Sequence, residues 1–164
     1  MKHLVSIEAA TKPFAGFWMK NAYCIPNGKF PIVQHFLSQM AAANEPITDM
    51  VINSMITAPA EGTTLHAGES ADIRGVAWDG GYGIRHVDIS TDGGETWREA
   101  ELGEDFGRFA FRVFRFDFVP PQPGRYQVMA RASNTIGQTQ AEKLIFNPAG
   151  YHNNVVRPVT VNAV

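Results

Sequence analysis

From Asp49 onward, apolar and polar positions alternate in short bursts separated by turn residues, the period-2 signature of β-strands. The run MVINSMITAP alternates and stops at Pro59, which has no N–H to give to a ladder. ADIRGVAWD places Ile73, Gly75 and Ala77 on one face, with Val76 and Trp78 on the other. GIRHVDIS sets Ile84 and His86 against Arg85 and Val87. Three further runs follow: RFAFRVFRFDFV, GRYQVMARAS after the Pro123–Gly124 turn, and QAEKLIFN. Six or seven short strands over about 115 residues predict an all-β fold, an immunoglobulin-like β-sandwich. The chain's single cysteine rules out the Cys-Trp-Cys pin of antibody domains.

One strand breaks its own rhythm. In RFAFRVFRFDFV the apolar positions Phe109, Phe111 and Val113 give way to Phe114, Phe116 and Phe118. A strict alternation cannot change phase without an extra residue, so the pattern predicts a β-bulge near Val113 and Phe114. The alternative is a strand covered on both faces, the second cover being a partner subunit.

Residues 1–46 have a different texture. They show no clean period and are punctuated by Pro13, Gly16, Pro26, Gly28, Pro31 and Pro46. KHLVSI reads as a short strand. VQHFLSQM spaces Val33, Phe36, Leu37 and Met40 as a two-turn helix, marginal by itself, or else runs in an irregular arm. The segment needs a docking surface to bury Phe14, Phe17, Trp18 and Phe36. The expected organisation is an irregular N-terminal segment, 1–46, and a sandwich, 47–164.

Composition narrows the function classes. At 45% hydrophobic and 18% charged residues the chain reads as an ordinary soluble globular protein. A net charge of −2 gives no field to favour nucleic acid or an acidic membrane surface. No apolar run reaches the ~18 residues of a membrane span, and Glu8 interrupts any signal-peptide core. Cys24 reads as a packed thiol, with ligation of a metal that also carries a non-protein ligand as the rival reading.

The most specific local motif is STDGGETW, Ser90–Trp97, which matches the Asp-box hairpin best known from sialidases. Its residues are turn chemistry: Asp92 for side-chain-to-backbone bonds, Gly93 and Gly94 for positive φ, Trp97 as an apolar anchor. One copy without internal repeats excludes a propeller, so the hairpin reads as scaffold and no sialoside cleavage is expected. No phosphate loop, zinc-ligand spacing or carboxylate pair for glycoside hydrolysis stands out. His86 reads as an ordinary strand residue.

Residues 47–164 resemble the dimerisation domain of the sulfite oxidase family of molybdenum enzymes. The resemblance rests on ITAP, GVAWDGG, IRHVDISTDGGETW and the closing FNPAGYHNNVV before a basic residue. KHLVSIEAATKPFAGFWMKNAYCIP resembles the last stretch of the family's molybdopterin domain and its linker, most like bacterial sulfite dehydrogenases. The resemblance implies an immunoglobulin-like module that forms a homodimer and adjoins a molybdopterin domain. It implies an intact enzyme that oxidises sulfite and passes electrons to an acceptor such as cytochrome c, in the periplasm if the bacterial likeness holds. The molybdopterin-molybdenum cofactor belongs to the intact enzyme, with none expected in this chain. Lys2 sits where the family approaches the pterin, so it is the expected cofactor-binding residue. Arg157 matches the arginine that the family sends from this domain to its anionic substrate site; the plain alternative is a surface arginine. A free-standing immunoglobulin-like binding module without redox activity is the rival function.

Overall fold

The computed structural model describes residues 3–26, 44–144 and 150–164. They fall into two compact units, Met1–Thr48 with Phe146–Tyr151, and Asp49–Ile145 with His152–Val164.

In the smaller unit a π-helical turn, Trp18–Ala22, closes with Tyr23 N–H donating to Trp18 C=O at 3.1 Å. Strand β1 (Cys24–Pro26) then pairs antiparallel with β2 (Asn44–Pro46). The strand expected at the start is absent: His3–Ile7 is irregular, and Val5 is 96% exposed. Apolar residues alone do not hold a strand without a ladder to join. The expected helix Val33–Met40, with Phe36, lies outside the described residues, as does Lys2. Phe14, Phe17 and Trp18 stay 72%, 60% and 59% exposed, a surface with no cover among the described residues. Cys24 is buried, and its thiol donates to Met19 C=O at 3.6 Å, a packed small side chain.

The larger unit is the expected immunoglobulin-like sandwich. Its strands are β3 (Asn53–Ala58), β4 (Thr64–Leu65), β5 (Ala71–Trp78), β6 (Ile84–Ser90), β7 (Arg98–Glu99), β8 (Glu101–Leu102), β9 (Arg112–Phe118), β10 (Gly124–Asn134) and β11 (Val159–Ala163). One sheet runs β4-β11-β10-β6-β7, the other β3-β5-β9-β8. The chain crosses from one sheet to the other between β7 and β8, at the buried Ala100. Near the start of β10, Tyr126 donates its hydroxyl to Gln122 C=O at 2.8 Å, the tyrosine-corner device of immunoglobulin-like sandwiches.

Inner-face residues of both sheets make the core, with Ile73, Val87, Phe114, Val128 and Val161 at 0% exposure. The face split expected for β5 holds, since Ile73, Gly75 and Ala77 all point inward. Gly75 is required there: a Cβ would sit 2.1 Å from Phe114 Cζ and 2.3 Å from Met55 O.

The phase change in β9 is not a bulge. β5 and β9 pair without a break from Ala71 opposite Phe118 to Ala77 opposite Arg112. Phe114 and Phe118 face the core, whereas Val113 faces outward and Phe109 and Phe111 precede the strand, exposed. The outward apolar residues lie uncovered among the described residues, so cover from a partner subunit stays an expectation. A register shift does occur in β6, where Ser133 pairs with His86 but Asn134 pairs with Ile84. It lets Ile84 and Val87, three apart, both reach the core, against the simple alternation expected.

Two strand assignments also change. QAEKLIFN is not a strand over Gln140–Leu144, because the Gln140 side chain takes backbone partners of its own; the remainder lies outside the described residues. VTVNA, unassigned in the sequence reading, forms β11, held between β4 and β10.

Candidate functional site

The Asp-box hairpin follows β6. Ser90 donates its hydroxyl to Asp92 Oδ1 at 2.6 Å and accepts from Gly94 N–H at 2.8 Å. Asp92 accepts the Thr96 N–H at 3.0 Å and also the Thr96 hydroxyl. Gly93 and Gly94 adopt φ of +77° and +99°, as the turn requires. Trp97 donates its indole N–H to Gly94 C=O at 3.1 Å and lies 4.2 Å beneath the Arg131 guanidinium, so it packs on the outer face instead of in the core.

Donors from Ser90 and then Thr96 hold the Asp92 carboxyl well below the usual carboxylate range. Every Asp92 oxygen is thus occupied with its own turn, and the hairpin is built as scaffold. A depressed folded-state pKa gives stability that is complete above the unfolded value of about 4 and is lost as pH falls toward the folded value. We expect Asp92→Asn to lower the melting temperature at pH 7. The gap from wild type should shrink as thermal melts are taken down through pH 4 to pH 2.

The outer face of β6 and β10 carries polar and charged side chains that partner one another. His86 Nε2 lies 3.7 Å from Asp88 Oδ2, and Arg131 reaches Asp88 at 3.3 Å and pairs with Glu142. Among the described residues no three His, Cys, Asp or Glu side chains gather as metal ligands would. Nothing described forms a cradle for a molybdenum cofactor, and Lys2 lies outside the described residues.

The tail leading to β11 is different: it is pinned at its base and open at its tip. Gln140, 3% exposed, is the pin. Its Oε1 accepts from Ala132 N–H at 2.8 Å and from the Ser54 hydroxyl at 2.6 Å. Its amide donates to Asn53 Oδ1 at 2.9 Å and to Asn154 C=O at 3.3 Å. Asn154 in turn donates to Ile52 C=O at 3.2 Å, and Val156 N–H donates to Ala141 C=O at 2.8 Å beneath its own buried side chain.

Arg157 comes next. It is exposed and makes no hydrogen bond or ion pair among the described residues. With Pro158 and Val159 it lines a cleft of about 430 Å³ together with β3 from Asn53 to Ile56, Trp78 and Ala130. A guanidinium with no acidic neighbour keeps its whole donor fork for an anion. Sequence reasoning singled out Arg157 and passed over Gln140, whose only signal was a polar residue inside an apparently alternating run.

Residues 44–163 match the Mo-co oxidoreductase dimerisation domain family. The chain is 35% identical over 126 residues to mitochondrial sulfite oxidase of Rattus norvegicus, covering 72% of this chain and 23% of that protein. It is 30% identical over 125 residues to the NADH nitrate reductase of Spinacia oleracea, covering 66% of this chain and 13% of that one. The sulfane dehydrogenase SoxCD of Paracoccus pantotrophus shares the fold, with a TM-score of 0.67 and 23% identity over 87% of this chain and 35% of its own. The chain thus spans only about a quarter of the sulfite oxidase it matches. A dimerisation domain implies self-association and a Mo-co domain as its neighbour. With its sandwich, its Asp-box hairpin and its pinned tail all inside the matched span, the chain belongs to the Mo-co oxidoreductase dimerisation domain family.

Proposed function

We propose that this chain is the C-terminal dimerisation portion of a sulfite-oxidising molybdenum enzyme and that it lends the substrate site one arginine, Arg157. The observation that carries the reading is a guanidinium without a counter-ion among the described residues, on a tail fixed by Gln140 and Asn154. An arginine held only at its backbone is positioned without being neutralised, which suits capture of a small oxyanion. Sulfite is favoured over nitrate by the higher identity to sulfite oxidase, 35% against 30%.

In this reading residues 1–46 are the tail of the molybdopterin domain and its linker. The exposed Phe14, Phe17 and Trp18 are then the inner surface of a domain whose main body lies upstream. Lys2 contributes to the pterin site, the cofactor resides in that domain, and two chains pair as a homodimer through the sandwich. Electrons leave to an acceptor such as cytochrome c, and a periplasmic location follows from the bacterial likeness.

The test is Arg157→Gln in the complete enzyme. Loss of a charged donor costs about 1.5–3 kcal/mol, roughly ten- to a hundredfold in kcat/KM for sulfite. The loss should fall chiefly on KM, with melting temperature and oligomeric state unchanged. Unchanged sulfite kinetics return Arg157 to the surface and leave the module purely structural.

A further inference from the structure

The cleft beside Arg157 is larger than the anion proposed for it. At about 430 Å³ it falls within the size range of sites for small organic molecules. Sulfite has four heavy atoms and displaces about two or three waters, each ~30 Å³ in the liquid. Most of the cleft would stay wet around it.

The lining shows what the remainder suits. Met55 and Trp78 stand on the outward faces of β3 and β5, and Pro158 and Val159 follow Arg157 in lining the cleft. Two uncharged polar residues, Asn53 and Ser54, also line it, and the side chains of both are engaged within the fold. Asn53 Oδ1 accepts from the Gln140 amide at 2.9 Å and from Ser54 N–H at 2.9 Å, and its Nδ2 donates to Asn153 C=O at 3.4 Å. The Ser54 hydroxyl lies 2.6 Å from Gln140 Oε1 and 3.1 Å from Ala130 C=O. No acidic residue lines the cleft, and the Arg157 guanidinium has no partner among the described residues. The side chains thus present one unengaged cation beside an apolar lining.

We infer that this cleft binds an organic sulfur oxyanion, with its charged head on Arg157 and an aromatic body against Met55 and Trp78. The inference rests on the reading of Arg157 as a residue for sulfur oxyanions and adds the body that the head carries. A guanidinium fork donates to a sulfonate or sulfinate oxygen pair as it does to other oxyanions. An indole offers a broad, flat apolar face, which suits a ring. An inorganic anion reaches only the guanidinium, so the apolar contact goes unused and its contribution to affinity is lost.

The test titrates the 164-residue chain with three probes and follows the Trp78 indole N–H signal by NMR, assigned with Trp78→Phe. Benzenesulfonate should bind about tenfold or more tightly than methanesulfonate, which has the head without the ring, and than benzamide, which has the ring without the charge. Arg157→Gln, at an exposed position, should weaken benzenesulfonate by about tenfold or more. Arg125→Gln, at an exposed position on the other sheet, should leave it unchanged. No saturable binding of benzenesulfonate, equal affinity for methanesulfonate, or binding untouched by Arg157→Gln overturns the inference. Sulfite kinetics of the complete enzyme judge the underlying reading separately. A loss of sulfite kcat/KM in Arg157→Gln without a preference for benzenesulfonate keeps that reading and overturns this inference. Tight, Arg157-dependent benzenesulfonate binding with unchanged sulfite kinetics does the reverse.

Discussion

Gln140→Leu is expected to destabilise the sandwich by roughly 3–4 kcal/mol, because it strands at least two buried partners at about 1–3 kcal/mol each. Leucine keeps the volume but removes four hydrogen bonds. The Ala132 N–H loses its acceptor, Ser54 is left with only the more distant Ala130 C=O at 3.1 Å, and Asn53 and Asn154 lose a shared donor. The residue is 3% exposed, so water does not readily replace what is lost. Gln140→Glu should be harmful as well, since a carboxylate would face the acceptors Asn53 Oδ1 and Asn154 C=O without the amide protons they require. Urea unfolding of the chain measures both. The same variants should loosen the tail that carries Arg157, so in the complete enzyme a fall in sulfite affinity should accompany the fall in stability.

The second large effect is expected at Phe114→Ala, about 3–5 kcal/mol from lost burial plus the cavity left behind. Phe114 is fully buried, and its ring fills the space that Gly75 leaves open on the neighbouring strand. The two positions therefore couple. Gly75→Ala alone should also destabilise the fold, since its methyl would overlap both the Phe114 ring and Met55 O. Combining it with Phe114→Ala should relieve the first clash and not the second, because a backbone carbonyl cannot turn aside as a side chain can. A double-mutant cycle by thermal or urea unfolding checks this: the summed penalty should exceed that of the double variant, which should still be less stable than Phe114→Ala.

Period-2 alternation located β3, β5, β6, β9 and β10 because each has one face on a core and one in water, which is what alternation encodes. The reading slipped where that premise failed. Ahead of β9 the exposed Phe109 and Phe111 lead in phase with the outward Val113, so the pattern looked like a phase shift and a bulge was expected where the register is continuous. In β6 the bulge is real, but a single extra residue in a polar stretch, Arg85 and His86, leaves no visible break in the text.

β11 was overlooked because Arg157-Pro158 ahead of it reads as a loop, and the strand is short. Gln140 was read as part of a strand because its importance lies in long-range partners, Asn53 and Ser54, more than 80 positions away. The Asp-box was the most legible feature of all. Its bonds run among Ser90, Asp92, Gly94 and Thr96, so the local sequence contains the whole of its physics.

The most direct test of the central claim, that this chain is the dimerisation part of a molybdenum enzyme, is native mass spectrometry coupled to molybdenum analysis. It should be run on the 164-residue chain and on the intact enzyme, both from a host that makes the cofactor. The account predicts a homodimer without molybdenum for the chain alone, and a homodimer with one molybdenum per copy for the intact enzyme. Monomers in both preparations, or stoichiometric molybdenum on the chain alone, would contradict it.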